Sequence, residues 1–258
     1  MAKGSFLFLG LAFAMLWLPL GQHAFLTYHW MKVGTFMAPF LMLVAFSCGH
    51  TVRFKDPSFI GLVMLVAYIG HQFEEHWIDL YGREFAFQSA LNQMIGSAFN
   101  VQTENGDVPE ILTRASVFGI NTSLVWLVGA LAIWRGNMDI FPVLAMIAIA
   151  FVNAISHIAS ALATGGYNPG LLTSVAVFLP LSFWAYWVLW RDGMASVKLI
   201  GLSIVWAVAA HVIMILGLLV ANWWRLIPEF LYFCVLVLWS VLPTVWPALR
   251  VWQMRRGS

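Results

Sequence analysis

The sequence predicts an all-α fold, a polytopic transmembrane bundle of eight helices, or seven if its shortest span is not counted. Three observations carry that prediction. Of 258 residues, 62% are hydrophobic and only 9% charged, more apolar surface than a soluble domain of this size requires. The apolar residues gather in runs long enough to cross roughly 30 Å of hydrocarbon. Fourteen Trp and twenty Phe suit interfacial belts and packing between helices. A net charge of +2 without a basic tract gives no electrostatic footprint for nucleic acid.

The spans follow in order. Phe6–Leu26 comes after Lys3, lacks a small-residue cleavage site and carries Trp17 and Pro19, so it reads as a retained helix and not a signal peptide. Val33–Gly49 is the short second span, and the residues before it, including His29 and Lys32, read as a loop. Ser58–Leu80 ends in His71-Gln72-Phe73-Glu74-Glu75-His76-Trp77. Ile111–Trp134, Ile140–Ala163, Leu171–Trp190, Val197–Ala221 and Leu226–Leu249 complete the set. In the last, Glu229 follows Pro228, where a carboxylate complements the dipole of a helix start.

Eight spans put both termini on one side. Nine basic residues fall on that side (Lys3, Arg53, Lys55, Arg135, Arg191, Lys198, Arg250, Arg255, Arg256) and four on the other (Lys32, Arg83, Arg114, Arg225). The positive-inside rule then makes both termini cytoplasmic. Between the third and fourth spans lies a longer segment, 81–110, with polar Gln88, Asn92 and Gln93 among apolar Phe87, Leu91 and Ile95. It reads as an amphipathic helix over the outer mouth, followed by a turn at Asn105-Gly106-Asp107. The chain reads as one domain, 1–258.

Ranked by depth, the polar residues inside the spans form one outer layer. His71, Glu74, Glu75 and His76 lie late in the third span and His157 in the outer half of the fifth. His211 lies past the middle of the seventh, and Asn121 lies early in the fourth. Ionisable groups at such depth face a cavity or a partner and mark function. Asn153, Ser156, His157 and Ser160 form a stripe at helical spacing. The turn after it, Gly165-Gly166-Tyr167-Asn168-Pro169-Gly170, has the chemistry that lets backbone approach a site closely.

Imidazoles with carboxylates suit a divalent metal, zinc or iron. The candidate ligands are His71, Glu74, Glu75, His157 and His211. The candidate catalytic groups are Glu75, Glu74, His211 and Asn153, with a glutamate outside the metal shell as general base. The plain structural alternative makes Glu74 and Glu75 ion-pair partners of Arg83 or Arg114.

The run His71-Gln72-Phe73-Glu74-Glu75, with Asn153-x-x-x-His157 and Tyr167-x-Pro169-Gly170 after it, resembles the HxxEE family of bacterial integral membrane proteins. That family has no settled activity, so the resemblance supplies residues and not a reaction; it implies a multi-pass protein of a bacterial inner (cytoplasmic) membrane. The inverted zincin motif H-x-x-E-H is not matched, because position 75 is Glu.

The reading is a membrane-embedded metal-dependent enzyme acting on a lipid-like or small apolar substrate near the outer leaflet. It would hydrolyse with zinc or oxidise with iron. Its rivals are a metal-free His/Glu acid–base isomerase of a lipid and a proton-coupled transporter, with haem ligation by histidine pairs also open.

Overall fold

A computed structural model describes residues 24–47, 56–100 and 107–245. Among them are eight helices and no strand. They are α1 (Ala24–Ser47), α2 (Pro57–His76), α3 (Ala86–Phe99), α4 (Arg114–Arg135), α5 (Phe141–Thr164), α6 (Leu171–Arg191), α7 (Val197–Trp223) and α8 (Glu229–Val245). Four of these, α4 to α7, are long and apolar enough to cross a membrane, and α8 is a shorter apolar helix.

Seven predicted spans correspond to helices here, and α3 occupies the segment read as amphipathic. Of the first span only Ala24–Leu26 falls among the described residues, where it opens α1. The Asn105-Gly106 turn, residues 246–249 and the basic residues Lys3, Arg53, Lys55, Arg250, Arg255 and Arg256 lie outside them.

One expectation is corrected. The loop expected before Val33 is helical, because Ala24–Lys32 holds no Gly or Pro to stop a helix. Trp30 and Met31 are buried there, and that packing carries the helix past the polar positions that broke the apolar run. His29 accordingly stands on α1 with its ring against Phe25 and Tyr28, and Lys32 lies over the rings of Tyr28 and Trp77.

Local chemistry sets the helix ends. Asp56 accepts from Phe59 N at 3.2 Å and Pro57 opens α2, a side-chain cap followed by the residue that needs no N–H partner. Thr113 caps α4 through Ser116 N at 3.0 Å. Glu229 stands in the first turn of α8, and its carboxylate accepts from Ser116 Oγ of α4 at 2.6 Å.

Helix α5 is the axis of the bundle. Its first ten residues, Phe141 to Ala150, are all buried, as expected of a helix apolar on every side. Small residues let α2 and α4 approach: a Cβ on Gly61 would stand 3.0 Å from Ala132 Cβ, and one on Gly129 only 2.7 Å from Leu65.

Two widened, π-helical turns lie beside the polar layer. In α4, over Asn121–Trp126, Thr122 and Ser123 hydroxyls donate to the carbonyls of Phe118 and Gly119 and compete with the regular ladder. In α6, over Ser174–Phe178, the wide turn precedes Pro180, which has no N–H and crowds the carbonyl four residues back.

Candidate metal centre

The last turns of α2 carry the motif, and helical spacing decides which side chains meet. Glu75 is four residues after His71, so the two share a face, and His71 Nε2 lies 3.2 Å from Glu75 Oε2. From α5, His157 Nε2 comes within 3.3 Å of Glu75 Oε1. His76 Nε2 lies 3.1 Å from Glu75 Oε2. All four side chains are buried.

Hydrogen bonds assign the tautomers. Thr173 Oγ1 donates its single proton to Glu74 Oε2 at 2.5 Å, so at 2.7 Å it accepts from His71 Nδ1. Asn168 Nδ2 donates to the His157 carbonyl at 2.9 Å, which turns Oδ1 toward His157 Nδ1 as an acceptor, 2.6 Å away. Both rings therefore carry a proton on Nδ1 and, when neutral, present a bare Nε2 to the Glu75 carboxylate. His71 Nε2 is fully buried and makes no hydrogen bond. With both imidazoles neutral, atoms that only accept are brought together with no donor between them.

Such a set invites a cation. One ligand atom from each of His71, Glu75 and His157 lies within 4.8 Å of the others. Bonds of about 2.0–2.1 Å to a tetrahedral ion separate neighbouring ligand atoms by about 3.3 Å, close to the 3.2 Å from His71 Nε2 to Glu75 Oε2 and the 3.3 Å from His157 Nε2 to Glu75 Oε1, so the two imidazoles meet the carboxylate at different oxygens. The Nδ1–H groups, held by Thr173 and Asn168, are the outer hydrogen bonds that orient metal-ligating histidines.

His76 is held differently. Trp126 Nε1, which can only donate, bonds Gln72 Oε1 at 3.0 Å. Gln72 Nε2 then donates to Asn121 Oδ1 at 2.8 Å. Asn121 Nδ2 faces the Val117 carbonyl at 2.9 Å and His76 Nε2 at 3.1 Å. The inward nitrogen of His76 is thus already engaged, and this ring frames Glu75 without joining the three-atom cluster.

Glu74 points elsewhere. Its carboxylate accepts from Leu172 N at 3.0 Å, Thr173 N at 2.8 Å, Thr173 Oγ1, and Tyr167 Oη at 2.9 Å. Two of these donors are first-turn amides of α6, orphan groups that favour an anion. Burial, with Glu74 close by, pushes the Tyr167 phenol above its ordinary range, so the hydroxyl stays a donor. Glu74 and Thr173 together clamp α6 to α2 beside His71.

Gly170 completes the approach of backbone to site. Its φ is +93°, and a Cβ there would lie 2.7 Å from His157 Cε1 and 2.8 Å from His71 Cε1. Only glycine combines that backbone geometry with two imidazoles packed on it.

The cluster opens on a cavity of about 960 Å³ bounded by α2 to α5 and α7. Glu75, His157, Asn153 and His211 line it, as do apolar side chains such as Leu124 and Met214. Phe87, Leu91 and Met94 of α3 form part of the wall. Asn92 fastens α3, accepting from Ile111 N and Leu112 N at 3.1 and 2.7 Å.

Of the sequence candidates, His71, Glu75 and His157 meet. Glu74 serves the α2–α6 clamp, while Asn153 and His211 face the shared cavity. The ion pairs considered as the plain alternative are not formed: Arg83 binds Asp79 at 2.7 Å, and Arg114 lies over the rings of Tyr28 and Phe85. Thr173 and the Trp126–Gln72 link were not identified from the sequence. Thr173 carries no periodic signal, and its only hint is its place three residues after Gly170.

An all-helical bundle with membrane-length apolar helices and a buried two-histidine, one-carboxylate cluster is the class these observations define. Residues 62–185 match the family described as "Protein of unknown function with HXXEE motif". The match spans the motif, the α5 stripe and the Gly170 turn, so the resemblance read from those residues holds across this segment. No curated protein and no solved structure is significantly similar to the chain.

Proposed function

We propose that the protein is a membrane-embedded, metal-dependent enzyme that acts on a lipid-like or small apolar substrate. His71, His157 and Glu75 hold the ion. The observation that carries the reading is the pair of Nε2 atoms, left free to ligate by the Nδ1 bonds to Thr173 and Asn168, facing one carboxylate at the edge of a large, mostly apolar cavity. Two imidazoles and one carboxylate are the donor set of zinc hydrolases and of non-haem iron oxygenases. A zinc ion would supply Lewis acidity for hydrolysis, an iron ion a centre for oxidation.

The chain's own residues do the rest. Glu74, through Thr173, holds His71 in place. Gly170 lets the loop close over both rings and shut water out on that side. The apolar wall receives the body of the substrate, and α3 covers it. On the positive-inside reading the cavity faces the outer leaflet of a bacterial cytoplasmic membrane.

The test is elemental analysis of the full chain purified from a membrane host. About one zinc or iron per chain is expected, falling to background in His71→Ala, His157→Ala and Glu75→Ala while each variant remains in the membrane. Wild-type protein without metal, or full metal in these variants, would overturn the proposal.

A further inference from the structure

The cavity that Glu75 and His157 enter carries a fixed positive charge on its wall. Among the described residues lining it, Arg83 is the only arginine or lysine. It lies in the tight hairpin after α2, where Asp79 N donates to the Arg83 carbonyl at 3.1 Å and Phe85 N to the Trp77 carbonyl at 2.9 Å. Gly82 turns the chain there at φ +74°. Leu80 N donates to Tyr167 Oη at 3.0 Å, which ties the hairpin to the Glu74 clamp.

Asp79 fixes the guanidinium without covering it. One carboxylate oxygen accepts from Tyr81 N and Arg83 N, both at 2.9 Å. The other accepts from Arg83 Nε at 2.7 Å and lies 2.7 Å from Nη2. The Asp79 side chain is 1% exposed and that of Arg83 54%, so the acid is spent inside the hairpin while the arginine stays open. Its Nη1 edge bonds no group among the described residues, and its plane lies over the Tyr81 ring at 5.4 Å. A planar fork held this way, with one edge unspent, suits an oxyanion.

From that edge the chamber continues in hydrocarbon. Helix α3 begins three residues after Arg83 and lays one face along the cavity, from Ala86 to Ala98, about 18 Å of helix. The Phe87 ring lies 6.2 Å from that of His157, so the start of α3 passes over the metal cluster. Leu91 and Met94 continue the wall, and Met214, Ile215 and Leu218 of α7 add to it. Glu75 lines the same space and repels an anion, a charge that the divalent ion proposed above would offset.

We infer that Arg83 is a specificity-determining residue that binds the anionic head, carboxylate or phosphate, of a long-chain amphiphile whose tail lies along α3. The inference rests on the cavity being the substrate chamber and names the class of lipid it takes. Head recognition by Arg83 does not itself need a bound ion.

The experiment uses the full chain in phosphatidylcholine nanodiscs, labelled by a diazirine-bearing hexadecanol, a neutral probe of the apolar chamber. Competitors of one chain length are 1-hexadecanol, hexadecanoate and hexadecyl phosphate. An anion is expected to displace the label at concentrations about 5- to 20-fold lower than the alcohol, the span for a charge-assisted bond at a half-exposed site. Which anion does so distinguishes a carboxylate from a phosphate head. In Arg83→Gln the gap should close while displacement by the alcohol is unchanged, and that alcohol reading reports an intact chamber. A variant that does not label is replaced by Arg83→Met. Arg225 is exposed and does not line the cavity, so Arg225→Gln should keep the gap.

Equal competition by the alcohol and both anions in the wild type would overturn the inference, as would a gap that closes equally in Arg225→Gln. The measurement is repeated on metal-stripped protein. A gap that survives Arg83→Gln but vanishes on stripping would assign the head to the ion, overturning this inference and leaving the metal reading intact. An Arg83-dependent gap in a protein that proves never to hold metal would sink the metal reading and leave this one standing.

Discussion

Replacing Gly170 by Ala is the sharpest probe of the centre, because its consequences follow from two distances and one angle. At φ +93° any residue with a Cβ is strained by about 1–2 kcal/mol. The added methyl would sit 2.7 Å from His157 Cε1 and 2.8 Å from His71 Cε1, where carbon atoms rest at about 3.5–4.0 Å. One or both imidazoles must therefore retreat by about 0.7 Å or more, or the loop must lift by as much. Metal–ligand bonds tolerate about 0.2 Å. The fold should lose little beyond the backbone strain, while metal affinity falls by at least the ~10–100-fold typical of disturbing the groups that orient metal ligands.

Competition against a chelator of known affinity measures that loss. Gly165→Ala supplies the control, since Gly165 also has a positive φ, +68°, yet a Cβ there meets nothing within 4 Å. It should carry the strain without the metal defect. Wild-type affinity in Gly170→Ala, or equal loss in both variants, would refute the packing argument.

Two further predictions follow from the same structure. Thr173→Val removes the hydroxyl joining His71 to Glu74 and frees the His71 tautomer, so metal affinity should drop about 10–100-fold; Thr173→Ser should restore it, and an unchanged Val variant would refute the tautomer assignment. Asp79 is pushed up by burial, but hydrogen bonds from Arg83 and from the backbone of Arg83 and Tyr81 outweigh that and hold its carboxyl below the ordinary value. A depressed carboxylate contributes stability that is complete above its unfolded pKa of about 3.9 and lost as pH falls through the folded one. Amide exchange at Tyr81 and Arg83 should therefore accelerate relative to the helix cores only below about pH 4, and Asp79→Asn should abolish the pH step.

Much of the fold was legible because membrane helices announce themselves locally. Run length placed α2 and α4 to α8, and the polar–apolar mixture within 81–110 announced α3, whose bounds, Ala86–Phe99, came from the structure. The start of α1 was not legible, since polar His29 and Lys32 interrupt the run while burial of Trp30 and Met31 holds the helix together. In the site, spacing put His71 and Glu75 on one face, and the α5 stripe marked His157 for the same layer.

The division of labour between Glu74 and Glu75 shows where sequence stops. Adjacent on a helix, they point about 100° apart, and the sequence alone treats them as equivalent carboxylates. What lies in each direction comes from distant parts of the chain: the α6 N-terminus and Tyr167 for Glu74, His157 of α5 for Glu75. The same holds for the imidazoles. Their depth follows from the order of the spans. Which nitrogen bears the proton depends on Thr173, Asn168 and Asn121, contributed by other segments. Helix existence and facial spacing are properties of a few consecutive residues, so the sequence determines them. Convergence of acceptor atoms on a common point is a property of packing between helices, and only the tertiary structure decides it.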